Sequence, residues 1–445
     1  MTERATSAAR SKPGLVRAIG RWSLVALIIN SVIGSGVFGL PATVARLLGP
    51  SSTVAVLIAG LGMGVIMACF AEVASRFSEA GGPYLYAHAA FGRLAGLLVG
   101  WTLYLAQAAA PAANANLFII YLAEFWPTVK EPSLRFLVLT LLVGLLTLIN
   151  VLGVRQGTVV SNLFTVAKIL PLVAIIGAGA VLIFSRAVPV PDVEPTPSSW
   201  LQAMVLLVFA YGGFESGLVP LSEAKNPRKD VPFALLAALI VCSAIYALVQ
   251  WTVVGVLGAG LSSDRPLAEV ARAAIGNRGA SLVSIGALIT IFGYLSAKLL
   301  GMPRVTYALA ETGDLPRLFC ATSKRFHTPW VSILVYAAVV WGLALLGDFA
   351  WNVTLSVVAR LFYYGMVCAA LIALRRRQPG AAQVRLPAGP ALAILGILTC
   401  LVLATQTDLS KSLIVLATVA AAVLNWAWVR GRERKGRKSE ATAQS

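Results

Sequence analysis

The stretch "NSVIGSGVFGLP", residues 30–41, lies inside an apolar run that begins just after Arg21. Within twelve residues it places three glycines, two serines and a proline. In a helix interior each glycine costs about 1 kcal/mol relative to alanine, and proline about 3, so an unbroken helix is a poor home for it. An unwound turn would free carbonyls on one half-helix and amides on the next, and glycine would let another group approach that backbone closely. Such backbone is tolerated at membrane depth only where it lines a cavity or is buried in protein. Ile33, Gly34, Ser35, Gly36 and Val37 are therefore a candidate ligand site, with half-helix amides aimed at an anion. Close helix packing through small residues is the plainer alternative.

The surrounding composition makes the membrane reading secure. Of 445 residues, 58% are hydrophobic and 12% charged, with a mean hydropathy of +0.83, whereas a soluble domain is about a quarter charged. Twelve runs are long enough to cross roughly 30 Å of hydrocarbon as helices: 22–47, 51–75, 93–124, 134–152, 158–184, 200–222, 232–259, 280–311, 331–347, 350–374, 388–406 and 412–430. The expected fold is an all-α integral membrane protein.

The net charge of +18 raises the possibility of nucleic acid, but its distribution argues otherwise. If both termini are cytoplasmic, the cytoplasmic side collects 24 Lys and Arg and the opposite side 8, the bias of the positive-inside rule. The basic tail "RGRERKGRKSE" then lies near anionic membrane lipid, and no nucleic-acid partner is expected. The first apolar run is too long for a cleavable signal peptide and lacks a small-residue cleavage site. Five scattered cysteines contain no CxxC pair, so neither a disulfide nor a metal site is expected.

The opening motif has an echo. "FAYGGFESGLVP", residues 209–220, again carries a glycine pair, a Ser-Gly and a following proline. Two interrupted spans at corresponding places in two halves point to an inverted-repeat transporter with its site between them. Residues 22–184 and 200–374 would be the repeats, joined by an external linker at 185–199. Residues 388–430 would form two appended spans, with cytoplasmic tails at 1–21 and 431–445. Phe209 and Tyr211 flank the second break, and Gly212 and Gly213 form it.

With these stretches, "FAEVASRFSEAGGPYLYAHAAFG" (70–92), "FAYGGFESGLVPLSEAKNPRKDVP" (209–232) and "PRVTYALAETGDLPRLF" (303–319) followed by "TPW" (328–330) occur in order. The chain thereby resembles the amino acid-polyamine-organocation superfamily of transporters over its first ten spans. The resemblance implies a LeuT-like five-plus-five inverted repeat with spans 1 and 6 broken. It implies an amino acid substrate whose carboxylate meets the Ser35 hydroxyl and the amides around Gly36 and Val37. The ammonium would meet the carbonyls of Val32, Ile33, Phe209 and Gly212, and Phe209 would close over the substrate. No cofactor is expected.

Four basic residues remain inside spans: Lys168, Lys298, Arg304 and Arg360. Intramembrane ionisable groups are costly and functional by default. Lys168 lies roughly 15 Å into the fifth span, where burial and half-helix carbonyls act on its charge in opposite senses, so its protonation can follow conformation. By resemblance it replaces a sodium ion between spans 1 and 8, making the proton the coupling ion. Lys298 falls where relatives place a residue facing the substrate side chain; it could meet an acidic substrate or pair with Glu215. Arg304 is expected in a cytoplasmic vestibule, and the sequence leaves open which face Arg360 occupies. Glu72 and Glu223 are expected as gate or loop partners of Arg76, Lys225 or Arg228.

The function expected is secondary amino acid transport across the cytoplasmic membrane, proton-coupled, with amino acid exchange or amine antiport as the alternative. An enzyme finds little support: the two histidines, His88 and His327, fall in loops, and there is no HExxH, paired intramembrane acid or P-loop lysine. No repeated pore-loop filter suggests a channel.

Overall fold

The computed structural model describes residues 20–77, 81–153, 158–185, 193–218, 225–258, 263–406 and 408–443, with 158–167, 227 and 432–443 described by helical backbone alone. All regular structure among them is helical. The opening motif breaks as its glycines demand: α1 (Arg21–Val32) stops where Ile33 leaves helical geometry, with ψ at 90°. A single turn, α2 (Gly36–Gly39), and α3 (Pro41–Leu48) carry the chain on, and proline at the first position of α3 costs no hydrogen bond. Next come α4 (Ser52–Ala74), α5 (Gly82–Phe91), α6 (Arg93–Leu122), α7 (Pro132–Val151) and α8 (Thr158–Ser185).

The second motif breaks in the same way. Gly212, extended at ψ 166°, and Gly213, left-handed at φ 107°, separate α9 (Pro197–Tyr211) from α10 (Phe214–Gly217). The chain continues as α11 (Pro227–Leu257), α12 (Pro266–Ile275), α13 (Asn277–Glu311), α14 (Trp330–Leu346), α15 (Phe349–Arg377), α16 (Gly389–Ala404) and α17 (Leu409–Ala443). The residues expected as a C-terminal tail thus prolong α17, since Arg, Lys, Glu and Ala are all good helix formers. His88, expected in a loop, lies within α5.

Among the described residues, nine helical segments are long and apolar enough to cross a membrane, and α14 and α16 are apolar but shorter. The sixth expected span is absent from the nine because α9 and α10 divide it, and 219–224 lie outside the described residues.

At the centre stands α6, packed on α15, α13, α14 and α5. Its alanines 106, 108, 109, 110, 112, 113 and 115 are fully buried, and such small side chains let neighbouring backbones come close. Outward-facing apolar residues such as Leu61, Leu141, Phe184, Leu398 and Leu424 are exposed, as suits a surface solvated by acyl chains.

Ion pairs gather at both ends of the bundle. At one, Glu72 bonds Arg375 at 2.5 and 2.7 Å and Arg76 at 3.3 Å, while Arg93 and Tyr84 hold Asp314. Burial and the neighbouring Asp314 carboxylate push the Tyr84 phenol above its usual range. At the other end Glu124 pairs with Arg265 at 2.9 Å and Arg272 at 2.6 Å.

Candidate functional site

The two breaks cross in contact. A Cβ on Gly36 would lie 2.9 Å from Ala210 Cα, and one on Gly213 would lie 2.3 Å from the Ser31 carbonyl oxygen. Backbone thus meets backbone where any side chain would intrude, and the left-handed φ of Gly213 excludes one a second time. On α11, the Tyr246 hydroxyl sits 3.0 Å from the Val32 carbonyl and 3.1 Å from that of Ala210, tying the breaks together. Nothing in the sequence marks Tyr246, which is one aromatic in an apolar helix.

Inside the crossing, Ser35, Gly36 and Val37 are buried, and the Ser35 hydroxyl has no hydrogen-bond partner. Gly34 faces the Tyr294 ring, to which a Cβ would approach within 3.6 Å. Phe209 and Tyr211 are buried in the last turn of α9, and the Tyr211 hydroxyl donates to the Val56 carbonyl at 2.9 Å. Two of the four carbonyls expected to be free are engaged: Val32 accepts from Tyr246, and Phe209 accepts from the Gly212 amide at 3.2 Å. A carbonyl has a second lone pair, so engagement does not close either to a further donor.

Beside the crossing lies a buried polar cluster. The Glu215 carboxylate accepts from Gln107 Nε2 at 3.1 Å, the Tyr363 hydroxyl at 2.8 Å, the Tyr364 hydroxyl at 3.3 Å and the Gly213 amide at 3.0 Å. Lys298 does not pair with it. Its ammonium donates instead to Gln107 Oε1 and Ser216 Oγ, both at 2.7 Å, because the Gln107 amide can give to a carboxylate and take from an ammonium at once. The cation nearest to Glu215 is Arg360, at 3.7 Å. Its Nη1 stands 1.3 Å from where a Gly212 Cβ would be, and its guanidinium lies 5.7 Å from the Phe209 ring centre. The face left open by the sequence is therefore the one turned to the second break. Lys168, buried on α8, donates to Asn30 Oδ1 at 2.8 Å and to the Asn30 carbonyl at 3.1 Å. Both bonds reach the last turns of α1, and neither reaches α13, the partner that the resemblance implied.

From this cluster a cavity of about 720 Å³ extends past Tyr104, Met302 and Arg304 to Gly81, Thr312 and Asp314 at the Glu72 end. A larger groove of about 890 Å³ lies away from the breaks, between α7 and α14. Its one charged lining residue is Lys324, so the chemistry belongs to the smaller cavity. A family model described as amino acid permease matches residues 19–426. The chain belongs to the amino acid permease family.

Relatives of the permease span several named activities. It is 29% identical over 425 residues to a methylthioribose transporter of Bacillus subtilis, covering 89% of this chain and 90% of that one. It is 28% identical over 397 residues to the serine/threonine exchanger SteT of the same species, covering 86% and 89%. To a mitochondrial cationic amino acid transporter of Arabidopsis thaliana it is 28% identical over 381 residues, covering 81% of the permease but 63% of the plant protein. The permease thus spans less than two thirds of that relative. The superfamily resemblance read from the four motifs is borne out, and the family is one of transporters, not enzymes.

Away from the crossing, the permease holds Glu72 in the ion-pair cluster with Arg76, as expected, and with Arg375, which was not. Arg375 reaches it from α15, more than 300 residues away along the chain, so no local pattern announces the pairing. Arg304 lines the cavity and donates to the Leu300 carbonyl. Glu223 lies outside the described residues. Among the described residues no three His, Cys, Asp or Glu gather as metal ligands would.

Proposed function

We propose that this permease is a secondary amino acid transporter of the cytoplasmic membrane, working by alternating access with protons as the coupling ion. The observation that carries the reading is the buried, unpartnered Ser35 hydroxyl at the crossing of two broken helices. A buried hydroxyl without a partner costs about 1–3 kcal/mol, and a substrate carboxylate received there, together with the half-helix amides, would remove that cost. Carbonyls at the ends of α1 and α9 suit the ammonium, so the crossing is complementary to a zwitterion. Phe209 would close over it.

In this reading, residues 22–184 and 200–374 form the two inverted repeats, with twelve spans in all and both termini cytoplasmic. The Glu72 end then faces the cytoplasm, and the cavity leads inward from the substrate. Lys168 would transmit proton binding to the first break through Asn30. Glu72 and Arg304 would serve the inward route, and Glu223 its loop. Amino acid exchange is the second reading, favoured by the relative named as a serine/threonine exchanger.

Uptake in proteoliposomes over a panel of amino acids, with and without an inward proton gradient, tests this. Gradient-driven accumulation that Ser35→Val abolishes in a folded protein is expected. Substrate affinity left intact by Ser35→Val would remove the carboxylate site, and transport seen only against preloaded substrate would establish exchange.

A further inference from the structure

Arg360 is the cation that the cluster satisfies only in part. Its side chain is 2% exposed, yet Nε and Nη1 have no hydrogen-bond partner. Glu215 cannot supply one: a carboxylate offers about four acceptor positions, and Gln107, Tyr363, Tyr364 and Gly213 already fill them. At 3.7 Å the pair is an electrostatic contact without a hydrogen bond. A guanidinium stays charged at any physiological pH and presents a planar fork of donors. Leaving such donors unmade in the interior is expensive unless something else receives them.

The fork lies at the second break, beside the groups that the amino acid reading assigns to the substrate. Nη1 fills the space beside Gly212 at the second break, and the guanidinium lies over Phe209. The charge balance around the crossing points the same way. Lys168 and Arg360 are buried there and Lys298 is half-buried, and among the described residues Glu215 is the one carboxylate in the cluster. Lys168 and Lys298 spend hydrogen bonds on Asn30, Gln107 and Ser216, which leaves Arg360 as the cation available to an anion.

Building on the amino acid reading above, we propose that Arg360 is a substrate-binding residue whose guanidinium receives the side-chain carboxylate of an acidic amino acid. The α-carboxylate goes to Ser35 and the first break, the ammonium to the carbonyls, and the second carboxylate accepts a charge-assisted hydrogen bond from an N–H of Arg360 that the cluster leaves unmade. A cationic amino acid would bring its side-chain charge against a site already rich in cations and is excluded on that ground.

Binding of glutamate, aspartate, serine, leucine and arginine to the purified full-length protein, each also used as a competitor of proteoliposome uptake, tests this without any variant. The wild type is expected to favour glutamate and aspartate over serine and leucine by about tenfold or more, with arginine last. Arg360→Gln should lose that preference while still binding serine or leucine, and Arg360→Lys, which keeps the charge but not the fork, should recover part of it. A wild type that prefers neutral or basic amino acids overturns the assignment while leaving the amino acid reading in place, as does an Arg360→Gln variant with the ranking unchanged, since Arg360 would then serve only to neutralise Glu215. Failure of all five to bind would overturn both.

Discussion

At Gly36 and Gly213 a single methyl group is too much. Ala210 Cα and the Ser31 carbonyl stand where it would go, and backbone cannot yield as a flexible side chain can. Gly36→Ala and Gly213→Ala are each expected to cost about 1–3 kcal/mol, read as a lower Tm in detergent. Gly62→Ala, on the same span as the ion-paired Glu72 but with nothing within 4 Å of its Cβ, should instead hold or slightly raise Tm, because alanine is the better helix former. The glycines and Ser35 were legible because a breaker inside an apolar run needs a reason. Arg360 was not, since helical periodicity fixes faces only relative to neighbours that the sequence does not name. Gln107 gave no signal, though its amide decides where Lys298 bonds.

Among elements, the spans were readable from hydrophobic length, and the two breaks from their shared composition. The long-range seams were not: Tyr246 between α1 and α9, or Arg375 on Glu72, join segments whose registers depend on packing. Among the described side chains, the hydrogen bonds from α8 to α1 are those of Lys168 to Asn30, a narrower link than the resemblance implied. If the proton acts there, Lys168→Ala should abolish acceleration of uptake by an inward proton gradient while sparing counterflow of substrate. Asn30→Ala should weaken the same response, because it removes the side-chain half of the contact. Gradient-driven accumulation persisting in Lys168→Ala would move the coupling site elsewhere.

For the whole molecule, the cavity and the two ion-paired ends define a direction. Glu124 with Arg265 and Arg272 fastens one end, and the cavity reaches the other beside Asp314. In the orientation proposed above, in which 24 of the loop and tail basic residues lie on one side and 8 on the other, that second end would face the cytoplasm. A cysteine replacing Met302, which lines the cavity, should react with a membrane-impermeant thiol reagent in inside-out vesicles and much more slowly in right-side-out ones. Cys320→Ser supplies the background, the other four native cysteines being buried. Equal labelling from both sides would contradict the orientation.

The filled carboxylate of Glu215 has a mechanical meaning. Two of its donors come from α15, one from α6 and one from the Gly213 amide immediately before α10. Swinging α10 away from α15 would strip a buried anion of its donors, whereas turning α9 about Gly212 and Gly213 would leave every one of them in place. The sixth span is therefore a lever with its fulcrum at the glycine pair: one arm is riveted to α6 and α15 through Glu215, and the other is latched to α4 and α11 by the Tyr211 and Tyr246 hydroxyls, the bonds a swing of α9 would have to break.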